Sequence, residues 1–571
     1  MSKATGPDSS SIWPADDRAA GLAVTASGPD ATAALERHLS VLVTDKVASR
    51  IADNDPTLWG DAAVSEASIR LGWVGLPDTS RPLVEQITSL RADLAAEGVD
   101  RVVLCGMGGS SLAPEVITAA AGVDLVVLDG TDPAMVRAAL VELERTVVVV
   151  SSKSGSTVET ASQRKIFETA FSTAGIDAKT RIVIVTDPGS PLEKQATEAG
   201  YRAIFSADPT VGGRFSALTA FGLVPSGLAG VDVGDLLDEA AAVGDLLAED
   251  SEANPGLVLA AVLGGTHRGG SAGGPLRDKI VFTDLGSGLP GFGDWAEQLI
   301  AESTGKEGTG LLPVVTTSVK APEVLSPPDD VIVVRLLPVG EEAVAAEAGA
   351  TGAAVSVSGP LGAQMLLWEY AVSIAGRLLS INPFDQPDVE SAKTATRALL
   401  DAPSSAPEPA DAVDAAVEIR ATPGLLDGAT TVDAAVDALL AAIPSRGYLA
   451  VMAYLDRIGE AELAQVRDPL AATTHRPVTF GWGPRFLHST GQFHKGGPPV
   501  GAYLQITGAT TDDLQIPESP FSFGVLIGAQ AAGDAKVLAG HGRPVLRLHL
   551  TDRAAGLAQV IASLSRPSKI A

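Results

Sequence analysis

Val147-Val148-Val149-Val150-Ser151-Ser152-Lys153-Ser154-Gly155-Ser156-Thr157 joins four consecutive β-branched residues to a run of hydroxyls. An apolar run without polar alternation suits a strand buried on both faces of a parallel sheet. Val158-Glu159-Thr160-Ala161 and Lys165-Ile166-Phe167 read as the helix that follows. At such a junction the hydroxyls, the unpaired backbone N–H groups and the helix dipole form a socket for an anion. The same hydroxyls can do no more than cap the helix, and the stretch alone leaves both readings open.

Working outward, similar apolar runs recur at 102–104, 125–128 and 182–185, with a shorter one at 203–205, separated by segments of helical composition. This alternation predicts an α/β fold of doubly wound, mainly parallel sheets flanked by helices. A second series opens at Lys279-Ile280-Val281-Phe282 and continues at 311–315, 331–336, 353–357, 449–454, 478–480, 502–506 and 545–550, with a strongly apolar helix over 361–379. The expected organisation is an N-terminal helical arm over 1–80, a first unit over 81–255, and a second unit with a C-terminal extension over 256–571. Helical periodicity runs over 31–52 within the arm and returns just beyond it at 83–94. Residues 401–413, rich in Pro, Ala and Ser, read as an exposed linker or insert.

The 571 residues carry a net charge of −28 spread along the chain, which disfavours a nucleic-acid partner and means that an anionic ligand must be held by local donors. The one cysteine, Cys105, excludes an internal disulfide framework and fits a reducing compartment. No apolar run approaches the length of a membrane span, and residues 1–11 lack the apolar core of a signal peptide, so a cytoplasmic protein without a membrane partner is expected.

A second loop, Gly106-Met107-Gly108-Gly109-Ser110-Ser111, follows the first strand, and its glycines let backbone amides approach a ligand. Ser111 stands where a dinucleotide fingerprint needs glycine, so a nicotinamide cofactor is disfavoured. Two Gly/Ser loops at strand ends of one sheet point to a shared sugar-phosphate site more than to two unrelated turns.

Six elements in order resemble the glucose-6-phosphate isomerase family, whose members use paired sugar-isomerase (SIS) domains. They are the two Gly/Ser loops, with Leu112-Ala113-Pro114 after the first; Gly212-Gly213-Arg214-Phe215-Ser216; Gln298 to Lys306 with Glu302-Ser303-Thr304-Gly305-Lys306; Asn382-Pro383-Phe384-Asp385-Gln386-Pro387 with Val389-Glu390 and Lys393; and Gly491-Gln492-Phe493-His494-Lys495-Gly496-Gly497. The last third is most similar to the isomerase half found fused to transaldolase in some bacteria, a partner for which this chain has no room. The resemblance implies an aldose–ketose isomerase working through ring opening and an enediol, without metal or redox cofactor. Phosphate would rest on Gly109, Ser110, Ser152, Lys153, Ser154 and Thr157.

The residue types suit that chemistry. A carboxylate can take a proton from the carbon beside a carbonyl and return it to the neighbouring carbon. The resemblance assigns this to Glu302, with Glu297 and Glu307 as nearby competitors; without it, Glu302 reads as an exposed helix-end residue. A fixed guanidinium, Arg214, suits the charge that develops on the enediolate oxygen, and Gln298, one turn before Glu302, can orient the substrate. Ring opening calls for a histidine. His494 is the family match and His488 the rival; in the family this histidine commonly reaches a neighbouring subunit, which implies a homodimer with shared sites. A lysine expected at position 527 is replaced by Ile527, which can neither donate a proton nor pair with phosphate; Lys495 and Lys536 are the nearby substitutes. An isomerase of another phosphosugar, or a non-catalytic sugar-phosphate sensor, are the alternative readings.

Overall fold

The computed structural model describes residues 21–266, 277–341, 352–401 and 408–566, so residues 1–20 of the expected arm and 402–407 of the expected linker lie outside the described residues. Among the described residues sixteen strands form three sheets. A strand that the sequence reading missed, β1 (Ala23–Ser27), comes first. The first sheet follows: β2 (Arg101–Gly106), β3 (Val126–Leu128), β4 (Thr146–Ser151), β5 (Ile182–Thr186) and β6 (Ala203–Ser206), ordered β3-β2-β4-β5-β6 and parallel throughout. Every residue of β4 and β5 is buried, as an unbroken apolar run between two helical layers requires.

The second sheet adds β7 (Lys279–Asp284), β8 (Leu312–Val315), β9 (Val331–Leu337) and β10 (Ala353–Ser358) in the order β1-β10-β9-β7-β8. β1 is its antiparallel edge, with Ala23 opposite Ser358. Five small or β-branched residues, Ala-Val-Thr-Ala-Ser, carry too weak a pattern to be read as a strand; pairing to β10 decides. The rest of the arm is largely helical, with helices Pro29–Thr44, Val47–Ala52 and, just beyond, Pro82–Ala96. Helix Leu361–Leu379 coincides with the expected apolar helix and lies in the main core with Trp73, Trp295 and Leu257.

The later strands form a third sheet of their own. β11 (Ala412–Asp414), β12 (Val417–Ala421), β13 (Tyr448–Tyr454), β14 (Val478–Trp482), β15 (Gly501–Gly508) and β16 (Val545–Leu550) run in the order β11-β12-β16-β15-β13-β14. Period-two alternation sorts their side chains. Leu449, Val451, Leu504, Ile506, Leu546 and Leu548 bury on one face. Tyr448, Met452, Tyr454 and Tyr503 meet Val281, Leu312, Val314 and Val331 of the second sheet on the other. The third sheet is thereby packed directly against the second.

Arginines fasten the third sheet's loops to the carboxyl end of β3. Asp129 is completely buried and pairs with Arg485 and, at 3.0 Å, with Arg457; the same two arginines reach Glu115. Burial alone would raise the Asp129 pKa, but the two guanidiniums outweigh it and hold it below the ordinary value. Arg553 pairs with Asp132 at 2.7 Å. Removing one partner of such a pair leaves a buried charge, a cost of about 3–5 kcal/mol.

Candidate active site

Gly106 and Ser151 lie directly opposite each other on the parallel strands β2 and β4, so both Gly/Ser loops leave the same end of the first sheet side by side. In the first loop Gly108 has φ +57 and Gly109 opens helix Gly109–Ala120. A Cβ on Gly109 would sit 1.8 Å from the Gly213 carbonyl oxygen, so the bare backbone there lets the Arg214 segment close in. Ser110 is half-buried beside it.

In the second loop Ser152 is buried and its Oγ accepts from the Gly155 N–H at 3.1 Å. The Ser154 and Ser156 hydroxyls are exposed and 2.7 Å apart. Thr157 stands at the N-cap of helix Val158–Thr173 without bonding the first turn. The first-turn N–H groups of this helix are therefore not capped by the Thr157 side chain. Lys153 points elsewhere: its Nζ donates to the Val211 carbonyl at 2.8 Å and pairs with Asp187 at 3.0 Å, tying the loop to the segments after β6 and β5.

Glu302 and Gln298 share one face of helix Phe292–Thr304, and both are buried. Burial pushes the Glu302 carboxyl above its ordinary pKa, while Arg214 and the Gln298 side chain pull it back. The Arg214 guanidinium lies 3.6 Å from Glu302. Its other donors go to Ser303 Oγ at 2.7 Å, to the Asp385 carbonyl at 3.2 Å and to the Pro383 carbonyl, so the fork is fixed before any ligand arrives. Lys306 holds the same 382–385 segment through the Asn382 carbonyl and Asp385, and burial lowers its pKa to about 8. Of the competitors, Glu307 is exposed, and Glu297 faces Asp294 and Arg485.

A cavity of about 170 Å³ lies between the first sheet's hydroxyl loop and the third sheet, lined by Thr157, Glu159, Lys393, His488, Lys495 and Gln530 among others. His488 Nε2 is 3.1 Å from Glu159 Oε1, and the His488 carbonyl accepts from Gln298 Nε2 at 2.7 Å. The charges of His488 and Lys393 both act on Glu302. Glu302, Gln298, Arg214, His488 and the open end of the hydroxyl loop therefore belong to one constellation.

His494 stands apart from it. It is buried, with Nδ1 2.9 Å from the Tyr448 hydroxyl and its ring stacked on Tyr448, while Tyr503 donates to its carbonyl. Burial, with Lys495 and Arg543 adding positive charge nearby, lowers its pKa to about 3. The glycines around it belong to a short helix, Gly491–Gly496, whose residues are all buried. Ile527 is likewise buried, among Phe493, Ala531 and Ala535 on one face of helix Phe523–Gly540; Gln530 is the residue of that helix which reaches the cavity. The cationic side chains at the cavity are Lys393, Arg397 and Lys495. Glu159 belongs to the family-like hydroxyl-loop stretch but was given no role, and Gln530 was not singled out, because the contacts that give them meaning join positions more than three hundred residues apart. Among the described residues no cluster of side chains is arranged to hold a metal ion, and no helix is long and apolar enough to cross a membrane.

The fold and this constellation define a doubly wound α/β protein with a buried carboxylate beside a hydroxyl-rich loop at a helix N-terminus, an architecture shared with sugar-phosphate isomerases. Comparison with known proteins specifies it further. The phosphoglucose isomerase family profile matches residues 73–307. A glucose-6-phosphate isomerase of Rubrobacter xylanophilus is 31% identical over 396 residues, covering 58% of this chain and 89% of that protein. One from Thermus thermophilus is 31% identical, covering 59% and 91%. Among solved structures, a hypothetical protein of Thermus thermophilus aligns with a TM-score of 0.54 at 25% identity, over 65% of this chain and 97% of that one. A Chlamydia trachomatis glucose-6-phosphate isomerase shares the fold, with a TM-score of 0.52 at 20% identity over 66% and 88%. The chain belongs to the glucose-6-phosphate isomerase family.

Proposed function

We propose that this protein interconverts glucose 6-phosphate and fructose 6-phosphate. The observation that carries the reading is the buried Glu302, held 3.6 Å from Arg214 and within the field of His488. A general base needs a carboxyl whose pKa lies closer to neutrality than that of a free side chain, and burial supplies this.

In the proposed sequence the phosphate sits on Gly109, Ser110, Ser152, Ser154 and Thr157, at the open N-terminus of helix Val158–Thr173, with Lys153 bracing the loop from behind. His488, its Nε2 engaged by Glu159, uses Nδ1 to move the proton of the C1 hydroxyl to the ring oxygen as the bond between C1 and the ring oxygen breaks and the C1 aldehyde forms, and Lys393 stabilises the negative charge that develops on the ring oxygen before the proton arrives. Glu302 then removes the proton from C2 of the aldose. The electron pair moves into a C1–C2 double bond while the carbonyl oxygen gains negative charge, which Arg214 stabilises. The C2 hydroxyl proton passes to the C1 oxygen as the C2 carbonyl forms, the electron pair returns to C1 and takes the proton from Glu302, and the ketose closes. Gln298 keeps Glu302 aimed.

The reading includes the organisation into an arm over 1–80, a first SIS unit over 81–255 and a second over 256–571 whose C-terminal extension is the third sheet, acting in the cytoplasm. It includes a homodimer as well, although His488 gives each chain a histidine of its own, so subunit pairing is a matter for light scattering and not a requirement of the chemistry. An assay coupling product formation to a dehydrogenase tests the activity. Turnover that vanishes in Glu302→Gln is expected, and wild-type protein that binds phosphosugar without turnover would refute it.

A further inference from the structure

Helix Phe523–Gly540 comes from the third-sheet portion of the chain, yet one of its side chains reaches the polar centre of the site. Gln530 is buried, and its Nε2 donates to Glu159 Oε1 at 2.6 Å. The same carboxylate oxygen receives His488 Nε2. The orientation of the Gln530 amide is fixed, because a carboxylate only accepts and must meet the NH₂ end. The opposite end, Oε1, accepts from the Thr131 hydroxyl at 2.8 Å. Thr131 is fully buried in the loop after β3, the segment to which Arg457, Arg485 and Arg553 fasten the third sheet. A chain of hydrogen bonds thus runs Thr131, Gln530, Glu159, His488.

We infer that Gln530, locked by Thr131, is a positioning residue that sets the proton affinity of the Glu159–His488 pair. The inference rests on the assignment of His488 as the ring-opening group. Its physical basis is charge sharing. In a buried site a carboxylate with no other donor clings to a neighbouring imidazolium, and a second donor on the same oxygen spreads the negative charge and loosens that hold. The other groups around the pair come from separate elements. Glu302 faces it from helix Phe292–Thr304, Lys393 and Arg397 from helix Val389–Asp401, and Tyr454 from β13. Lys495, from helix Gly491–Gly496, is paired with Asp534 at 2.7 Å. All of these persist when Gln530 is changed, so a difference between variants reports Gln530 alone.

Two readouts test this on the full-length protein. In ¹⁵N-histidine NMR titrations of the ligand-free protein, Gln530→Met should move the His488 titration to higher pH. In steady-state kinetics it should lower kcat roughly tenfold with KM within about twofold, and move the His488-dependent limb of the pH profile the same way. Thr131→Val should act in the same direction with a smaller effect, because the amide loses the donor that anchors its Oε1 and its bond to Glu159 loosens, and Thr131→Ser should restore wild-type behaviour. Thr131→Val carries the test if Gln530→Met does not fold. An unchanged His488 titration in the folded variants, or a raised KM with unchanged kcat, would overturn the proposal. A shifted titration in a protein without isomerase activity would sink the function and leave the hydrogen-bond relay standing.

Discussion

The two histidines of the 488–494 segment give the sharpest prediction, because the structure places them in opposite surroundings. His494 is 2% exposed and its pKa falls from 6.5 to about 3. Its folded value lies below its unfolded value, so between the two the unfolded chain binds the extra proton. The stabilisation from keeping His494 neutral is therefore complete above pH 6.5 and is lost as pH falls toward 3. A depression from 6.5 to about 3 corresponds to about 5 kcal/mol across that window, of which about 2 kcal/mol is gone by pH 5. His494→Phe keeps the ring volume and deletes the titration. It also deletes the hydrogen bond to Tyr448, although that hydroxyl keeps Tyr503 at 2.8 Å, so the loss at pH 8 should be only about 1–2 kcal/mol.

The variant should thus be less stable than wild type at pH 8 and should equal or exceed it near pH 5. Urea denaturation at a series of pH values, followed by tryptophan fluorescence, measures the crossing. Isomerase activity at pH 8 should stay within about threefold, since Nδ1 of His494 is spent inside the core and touches no group of the constellation. Two stability curves that run parallel from pH 8 to pH 5 would refute the burial argument. A loss of kcat by His494→Phe as large as that of a Glu302 variant would refute its exclusion from catalysis.

His488→Asn should lower turnover of the cyclic sugar roughly 10²–10³-fold and should cost far less with an open-chain substrate, which separates ring opening from proton transfer. Arg214→Met should reduce kcat by about 10²–10³ and shift the acidic limb of the pH profile upward, because the positive charge that offsets Glu302's burial is gone; an unmoved limb would count against it. Gly109→Ala should yield little folded protein, given the 1.8 Å approach of its Cβ to the Gly213 oxygen, and circular dichroism of the purified variant checks this. The double change Ser152→Ala, Thr157→Val should raise KM for the phosphorylated sugar about tenfold and leave kcat nearly unchanged.

How much of this could be read from the chain depends on whether the cause is local. The strands buried on both faces, such as 147–150 and 182–185, show themselves as apolar runs, and the helix at 361–379 shows itself by length. β1 and β12 do not. The first is a short edge of small residues, and the second, Val-Glu-Ile-Arg-Ala, is half exposed on a strand whose partner, β16, lies more than a hundred residues away. Nor does the sequence separate the third sheet from the second, since strands of either sheet have the same composition and only the pairing distinguishes them. Glu302, Arg214 and Gln298 were legible through the resemblance and lie together. The choice between His488 and His494 was not legible, because both sit near glycines and their difference lies in what surrounds them: Tyr448 and Tyr503 around one, Glu159 and an open cavity beside the other.

That difference also accounts for Ile527. A lysine on that face of helix Phe523–Gly540 would lie among Phe493, Ala531 and Ala535, where desolvation disfavours the charged form. The helix meets the site through Gln530, one turn later, and the positive charge at the cavity comes from helix Val389–Asp401 and from the residue next to His494. An apolar residue at 527 suits those neighbours, and its outer side borders a cavity of about 870 Å³ where Lys536, Arg420 and Arg547 already supply positive charge. It leaves Lys393, which follows the 382–387 segment held by Arg214 and Lys306, as the cation best placed to act with His488. If so, Lys393→Met should reproduce the His488→Asn phenotype, slow on cyclic sugar and nearly normal on open chains, while Ile527→Lys should lower stability and restore nothing to a Lys393 variant. Rescue of Lys393→Met by Ile527→Lys would show that this helix presents position 527 to the substrate after all.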